Sequence, residues 1–180
     1  ALAATLSVAT DALADGQACL TDLERKIERS HAGVVSLTPQ QFQALSRNDT
    51  EPPPLVLDAR EAHEFDVSRI AGAVRVDPEM SASEFRARFA QSVANRNIVI
   101  YCSVGVRSSR LVARIERTAR EFGAAGVFNL RGGIFAWHNY GIGLTAGDAA
   151  EDHVHPYSRS WTRYLDFPNY TRFGTTKQRE

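Results

Sequence analysis

The chain reads as an α/β domain with a mostly parallel sheet and flanking helices, and three features of the sequence say so. Leu55-Val56-Leu57-Asp58, Asn97-Ile98-Val99-Ile100-Tyr101-Cys102 and Val127-Phe128-Asn129-Leu130 are short apolar runs of β type. Short continuous runs of this kind suit strands buried on both faces. Between them lie segments whose apolar residues recur at helical spacing. Strands alternating with helices are the mark of crossover connections in a parallel sheet.

Composition bounds the reading. A length of 180 residues favours one domain with extensions, and 43% hydrophobic residues suffice for an ordinary core. Lys+Arg and Asp+Glu both total 21, so nothing in the charge balance supports nucleic-acid binding. No run approaches the roughly 18 apolar residues of a membrane span.

Residues 1–32 form an amino-terminal segment. Ala1 to Ala14 is rich in Ala, Leu and Val and ends Ala12-Leu13-Ala14, like the small-residue end of a secretory signal, though no basic stretch precedes it. The expectation is weighted towards an exported, periplasmic protein over a frayed helix start. Leu13, Leu20, Leu23 and Ile27 then predict an amphipathic helix from Asp11 to Arg29.

Residues 33–146 carry the alternating pattern. Val34 to Leu37 predicts a short strand. Thr38-Pro39-Gln40-Gln41 follows as a helix start, with Thr as N-cap, Pro at the first position and Gln at the third. Phe42 and Leu45 face inward. Asn48 to Pro54 is a surface loop, and the strand Leu55 to Asp58 ends on an acid. Glu61 to Phe65 is a helical turn, Ala73 to Val76 a strand, and Ser83 to Phe89 a helix with Phe85 and Phe89 on one side. The strand ending at Cys102 leads to a helix over Ser108 to Phe122, with Leu111, Val112, Ile115, Ala119 and Phe122 on one face and Gly123 as its stop. Val127 to Leu130 is the last strand, and Gly132-Gly133 turns into a helix containing Phe135 and Trp137, with Trp137 in the core. Residues 147–180 lose periodicity. Tyr157, Trp161, Tyr164, Phe167, Tyr170 and Phe173 predict an arm laid on its own domain or on a neighbouring subunit, anchored by Tyr157 and Trp161, with the end from Gly174 disordered.

Cys102 is the residue with chemistry. It ends a strand and is followed by Ser103-Val104-Gly105-Val106-Arg107-Ser108 and a helix start. Loop amides and a helix N-terminus favour thiolate over thiol, Gly105 permits the backbone turn, and Arg107 adds a full charge. In open α/β sheets ligands gather at the carboxyl ends of strands, where Cys102 falls. The other cysteine, Cys19, lies near the apolar stripe of the first helix and reads as packing. A Cys19–Cys102 disulfide would consume the reactive thiol.

The segment Leu55 to Phe65, the tetrapeptide Ile70-Ala71-Gly72-Ala73, the loop Cys102 to Ser108 and the closing Gly132-Gly133-Ile134-Phe135-Ala136-Trp137 together resemble, in order, the motifs of the rhodanese family. The resemblance covers Val34 to Leu144 and implies a rhodanese-like three-layer fold. It also implies a sulfurtransferase in which the Cys102 thiolate takes a sulfane sulfur from a donor, holds it as a persulfide and passes it on. Within it, Cys102 is the catalytic nucleophile, and Ser103, Val104, Gly105, Val106 and Arg107, with Arg60, form the substrate-binding loop and mouth. Asp58 and Ser108 support them, Asp58 by bonding neighbouring amides or Arg60. Family members often place a basic residue directly after the cysteine. Here it is Ser103, which leaves one cation missing for thiosulfate.

Four residues separate Cys102 from Arg107, whereas related cysteine phosphatases place five there for a tetrahedral phosphate. Sulfur is favoured over phosphate on that ground. The expected partners are a small anionic sulfur donor and a nucleophilic acceptor, either a small molecule or a protein; a homo-oligomer is compatible with the arm. The alternative reading is a persulfide-carrying or redox-sensing module that docks on another protein. A silent binding fold fits poorly with an intact Cys102 and Arg107. No cofactor or metal is called for, since His153-x-His155 lacks the company of further ligands. Glu61 and Glu64 read as helix-end or surface acids, and His63 and His138 as surface or packing residues.

Overall fold

A computed structural model describes residues 20–47 and 52–174. The expectations placed on the signal-like segment, Leu13, Cys19, part of the 48–54 loop and the last residues therefore lie outside the described residues. The helical residues 20–30 form α1. Next come β1 (Ser36–Leu37), α2 (Pro39–Ser46), β2 (Leu55–Asp58), α3 (Ala62–Val67), β3 (Val74–Arg75), α4 (Ala82–Phe89), β4 (Asn97–Tyr101), α5 (Val106–Glu121), β5 (Gly126–Leu130) and α6 (Gly133–Asn139). The five strands pair in parallel in the order β1-β5-β4-β2-β3, which puts β4 at the centre.

The two-residue period of a strand sorts its side chains into two cores. Val56, Val99, Tyr101 and Leu130 point to one face, where Leu20 and Ile27 of α1, Phe42 of α2 and Ile134 and Phe135 of α6 cover them. Leu55, Leu57, Ile98, Ile100 and Val127 point to the other, against Phe85 and Phe89 of α4 and Leu111, Val112, Ile115 and Ala119 of α5. The result is three layers. Full burial of each such Leu or Ile contributes about 1.5 to 3 kcal/mol, so the stripe of α5 alone secures that helix to the sheet.

Local signals also act as read. The Thr38 hydroxyl accepts from the Gln41 amide while the Gln41 side chain accepts from the Thr38 amide, a complete capping box. Ser81 and Glu84 repeat it at α4. Two details differ. Helix α5 begins at Val106, so Arg107 and Ser108 lie in its first turn. Phe122 sits just beyond its end and is exposed, because the chain leaves helical geometry there and Gly123 turns with φ +86°.

The carboxyl-terminal part holds structure that periodicity missed. Leu144–Ala146 (β6) and Ala149–Glu151 (β7) form a hairpin about Gly147, whose φ is +62°. Strands of three residues are too short to show a period. Beyond them the arm lies against its own domain, and of its two expected anchors Trp161 packs on the core while Tyr157 does not. Val154, Tyr164 and Leu165 enter the same core as Leu20 and Ile27, whereas Tyr157 is half exposed. Asn139 of α6 clamps the arm from below, donating to the Tyr164 carbonyl (2.9 Å) and accepting from the Asp166 amide (3.0 Å).

The acid ending β2 has its reason. Asp58 and Arg60 are fully enclosed, and the Arg60 guanidinium donates to both Asp58 oxygens and, at 2.6 Å, to the Ser68 carbonyl. Burial works against the Arg60 charge, and the Asp58 carboxylate outweighs it. Removing one partner of such a pair strands a buried charge, which costs about 3 to 5 kcal/mol. Asp58→Ala should therefore lower the urea unfolding midpoint by that equivalent, and a change below about 1 kcal/mol would contradict the pairing.

Candidate active site

Cys102 follows the last residue of β4, and the loop Cys102 to Gly105 carries the chain into α5. Gly105 is the N-cap of that helix at φ +109°, a left-handed conformation that L side chains resist. Its amide N–H donates to Cys102 Sγ at 3.2 Å. The other side of the loop is held by α6. The Ile134 and Phe135 amides donate to the carbonyls of Cys102 (2.9 Å) and Ser103 (3.1 Å). Gly133, at φ +56°, is where those carbonyls come closest, and a Cβ there would collide with both. Among the described residues no side chain caps α5, which leaves the first N–H groups of the helix available to an anion in front of the loop.

Ser108, in the first turn of α5, lies 3.5 Å from Sγ and donates at 2.7 Å to Asn129 of β5. Asn129 in turn donates to Ser36 of β1 (3.1 Å). The chain Ser36–Asn129–Ser108, buried at its last two members, thus fixes a hydroxyl beside the sulfur. Asn129 escaped the sequence reading, although an amide inside the apolar run Val127 to Leu130 was its signal.

The larger surprise is Glu64. It lies at a helix end as expected, in the first turn of α3, but it is fully buried beneath the loop rather than at the surface. Arg107 donates to its two oxygens at 2.8 and 3.0 Å, and the Ser103 hydroxyl donates to it at 2.9 Å. The Glu61 amide donates to it at 3.0 Å, a capping-box contact that sets its place. The Glu61-x-x-Glu64 spacing was the available clue. Burial alone would raise the Glu64 pKa; the Arg107 bonds and charge, with the Glu61 amide and Ser103, bring it down to about 2. Burial likewise opposes the Arg107 charge, and the bonds to Glu64 with the neighbouring Cys102 sulfur hold it above the usual arginine range.

In front of the loop opens a cleft of about 330 Å³ lined by Cys102, Ser103, Val104, Val106, Arg107, Arg110, Tyr157 and Trp161. Cys102 is only 1% exposed, so the sulfur forms the base of the cleft. Gly105 and Ser108 stand behind it. Arg60 is not on the wall: its bonds to Asp58 and Ser68 enclose it, which corrects its placement at the mouth. Cys102 is a free thiol. His63 is exposed, while His138 is buried with Nε2 3.1 Å from the Asp152 carbonyl. His153 pairs with Glu151, and among the described residues no group of three or more ligands could hold a metal. No helix among them is long and apolar enough to cross a membrane.

The domain is a three-layer parallel α/β fold with a cysteine loop at the end of its central strand. The chain belongs to the rhodanese-like domain family, whose model matches residues 38–140. It is 37% identical over 59 residues to a sulfurtransferase of Allochromatium vinosum, covering 33% of this chain and 51% of that one. It is 29% identical over 118 residues to the tRNA uridine(34) hydroxylase of Aster yellows witches'-broom phytoplasma, covering 64% of this chain. The chain spans 36% of that protein's length. Among solved structures, the thiosulfate sulfurtransferase of Pseudomonas aeruginosa shares the fold with a TM-score of 0.51 at 22% identity, covering 71% of this chain and 23% of that one. A Rhodopseudomonas palustris protein described as a possible tyrosine phosphatase does so with a TM-score of 0.52 at 22% identity, covering 66% and 90%.

The depressed Glu64 pKa carries a pH dependence. The unfolded carboxyl, near 4.5, takes up its proton before the folded one, near 2. Its stabilisation, roughly 3 kcal/mol, is therefore present above pH 4.5 and lost as the pH falls towards 2. Unfolding of the protein and of Glu64→Gln should differ most at neutral pH and converge in acid. A gap that stays constant from pH 7 to 3 would refute the pairing.

Proposed function

We propose that this protein is a sulfurtransferase in which Cys102 carries the transferred sulfur as a persulfide. The observation that carries the reading is the setting of Sγ: the base of a cleft, beside the Gly105 amide and the Ser108 hydroxyl, in front of an uncapped helix. The Cys102 thiolate attacks the outer sulfur of a sulfane donor, and the bond behind that sulfur breaks with its electron pair leaving on the donor remnant. The terminal sulfur of the persulfide is itself an anion, and the helix N-terminus with nearby N–H groups stabilises it without a metal. A nucleophilic acceptor then takes the sulfur and returns the thiolate.

The family membership and the Allochromatium vinosum relative support this reading. So does the loop, whose four residues between Cys102 and Arg107 fall one short of the phosphatase cradle. Arg107 enters with a changed role. Its charge is met first by Glu64, so it braces the loop through Ser103 and presents only its remaining donors to a substrate.

Intact mass spectrometry after exposure to thiosulfate or 3-mercaptopyruvate tests the proposal. The protein should gain one sulfur atom, Cys102→Ser should gain none while folding normally, and Cys19→Ser should behave as the parent. Equal loss in both variants would overturn a single-cysteine mechanism.

A further inference from the structure

One wall of the cleft comes from outside the family region. Tyr157 and Trp161 belong to the arm, beyond the matched residues 38–140, yet both line the space over Cys102. Their rings lie 4.9 Å apart, tilted by 54°. Trp161 is held from behind by edge contacts to the buried Phe135 (6.4 Å) and to Tyr164 (5.7 Å).

Tyr157 is held differently. Its backbone sits at φ +64°, an unusual conformation for a bulky residue. Its amide donates to Nδ1 of the buried His155 (3.0 Å), and its ring receives the Arg107 guanidinium at 5.3 Å. Two aromatic rings thus stand preformed in the cleft whose base is Cys102, with Val104 and Val106 extending the apolar lining.

The charge in the cleft is low. Arg107 and Glu64 cancel as a pair, and Arg110, exposed one turn further along α5, is the other charged residue of the wall. Among the described residues the cleft thus carries a single unmatched positive charge, which suits a monoanion better than a dianion such as thiosulfate. The volume lies at the small end for sites that hold small organic ligands.

We propose that the Tyr157–Trp161 wall selects the sulfur donor, so that the cleft takes a monoanionic organic sulfane-sulfur compound with a flat apolar body in preference to thiosulfate. The body packs on the two rings and Arg110 faces the negative charge. This rests on the sulfurtransferase reading. With an arenethiosulfonate, the Cys102 thiolate forms a bond to the outer sulfur. The bond from that sulfur to the sulfonyl sulfur breaks, and its electron pair departs on the sulfinate. The persulfide keeps the other negative charge, and no oxidant or reductant enters.

The test compares benzenethiosulfonate with thiosulfate on the full chain, reading kcat/KM from the rate at which Cys102 gains one sulfur atom. The parent should favour benzenethiosulfonate by about tenfold or more, the scale set by one or two aromatic contacts. Trp161→Ala and Tyr157→Ala should each reduce that ratio by about three- to tenfold. Trp161→Phe, which keeps a ring and guards against misfolding of the alanine variant, should retain most of it. A parent that prefers thiosulfate, or a ratio that none of these variants moves, overturns this inference while leaving Cys102 as sulfur carrier. Failure of both donors to load Cys102 overturns the sulfurtransferase reading and this inference with it.

Discussion

The Ile134 and Phe135 amides in the first turn of α6 take hold of the carbonyls of Cys102 and Ser103, and the geometry of the site depends on that grip. A carbonyl engaged on one side of a peptide leaves the N–H groups of the turn facing elsewhere, and the Gly105 N–H turns to the sulfur. The grip demands that α6 approach the loop closely, which is why Gly133 has no room for a Cβ. It also demands a left-handed turn at Gly105 to bring the chain into α5. Two helix N-termini therefore meet at one loop. One binds its carbonyls, and the other is left open for an anion.

Around this frame two buried ion pairs do different work. Asp58–Arg60 closes the end of β2 and ties it to Ser68, with both partners fully enclosed. Glu64–Arg107 braces the cysteine loop through Ser103 and keeps one edge on the cleft. Buried pairs of this kind contribute less to net stability than their geometry suggests, because both charges give up hydration. Their effect is positional: each fixes a loop where the apolar core cannot reach. The second pair also lowers the charge offered to a substrate, so electrostatic attraction in the cleft is weaker than an arginine beside a cysteine implies.

The chain divides labour along its length. The loop and strands that hold the sulfur fall within the family region 38–140, and the aromatic wall in front of it comes from the arm. Val154, Tyr164 and Leu165 secure the arm to the main core, and Tyr157 and Trp161 are thereby free to face the cleft. An arm expected to serve only stability and assembly thus also shapes the cleft.

The alternation of apolar runs with helical stripes determined the parallel α/β architecture, because strands covered on both faces and helices covered on one have different periods that need no tertiary information. Thr38-Pro39-Gln40-Gln41 and Gly123 marked helix ends for the same reason: caps are local bonds. The position of Cys102, at the carboxyl end of a strand before a glycine-containing loop, was equally legible. What only the tertiary structure decided were the partners drawn from distant chain. Glu64 meets Arg107 across 43 residues and Ser108 meets Asn129 across 21, while Arg60, whose bond to Asp58 the sequence suggested, also closes on the Ser68 carbonyl instead of facing the cleft. The hairpin and the aperiodic arm belong here too. Strands of three residues and scattered aromatics carry no period, and their placement is set by which surface of the finished sheet remains to be covered.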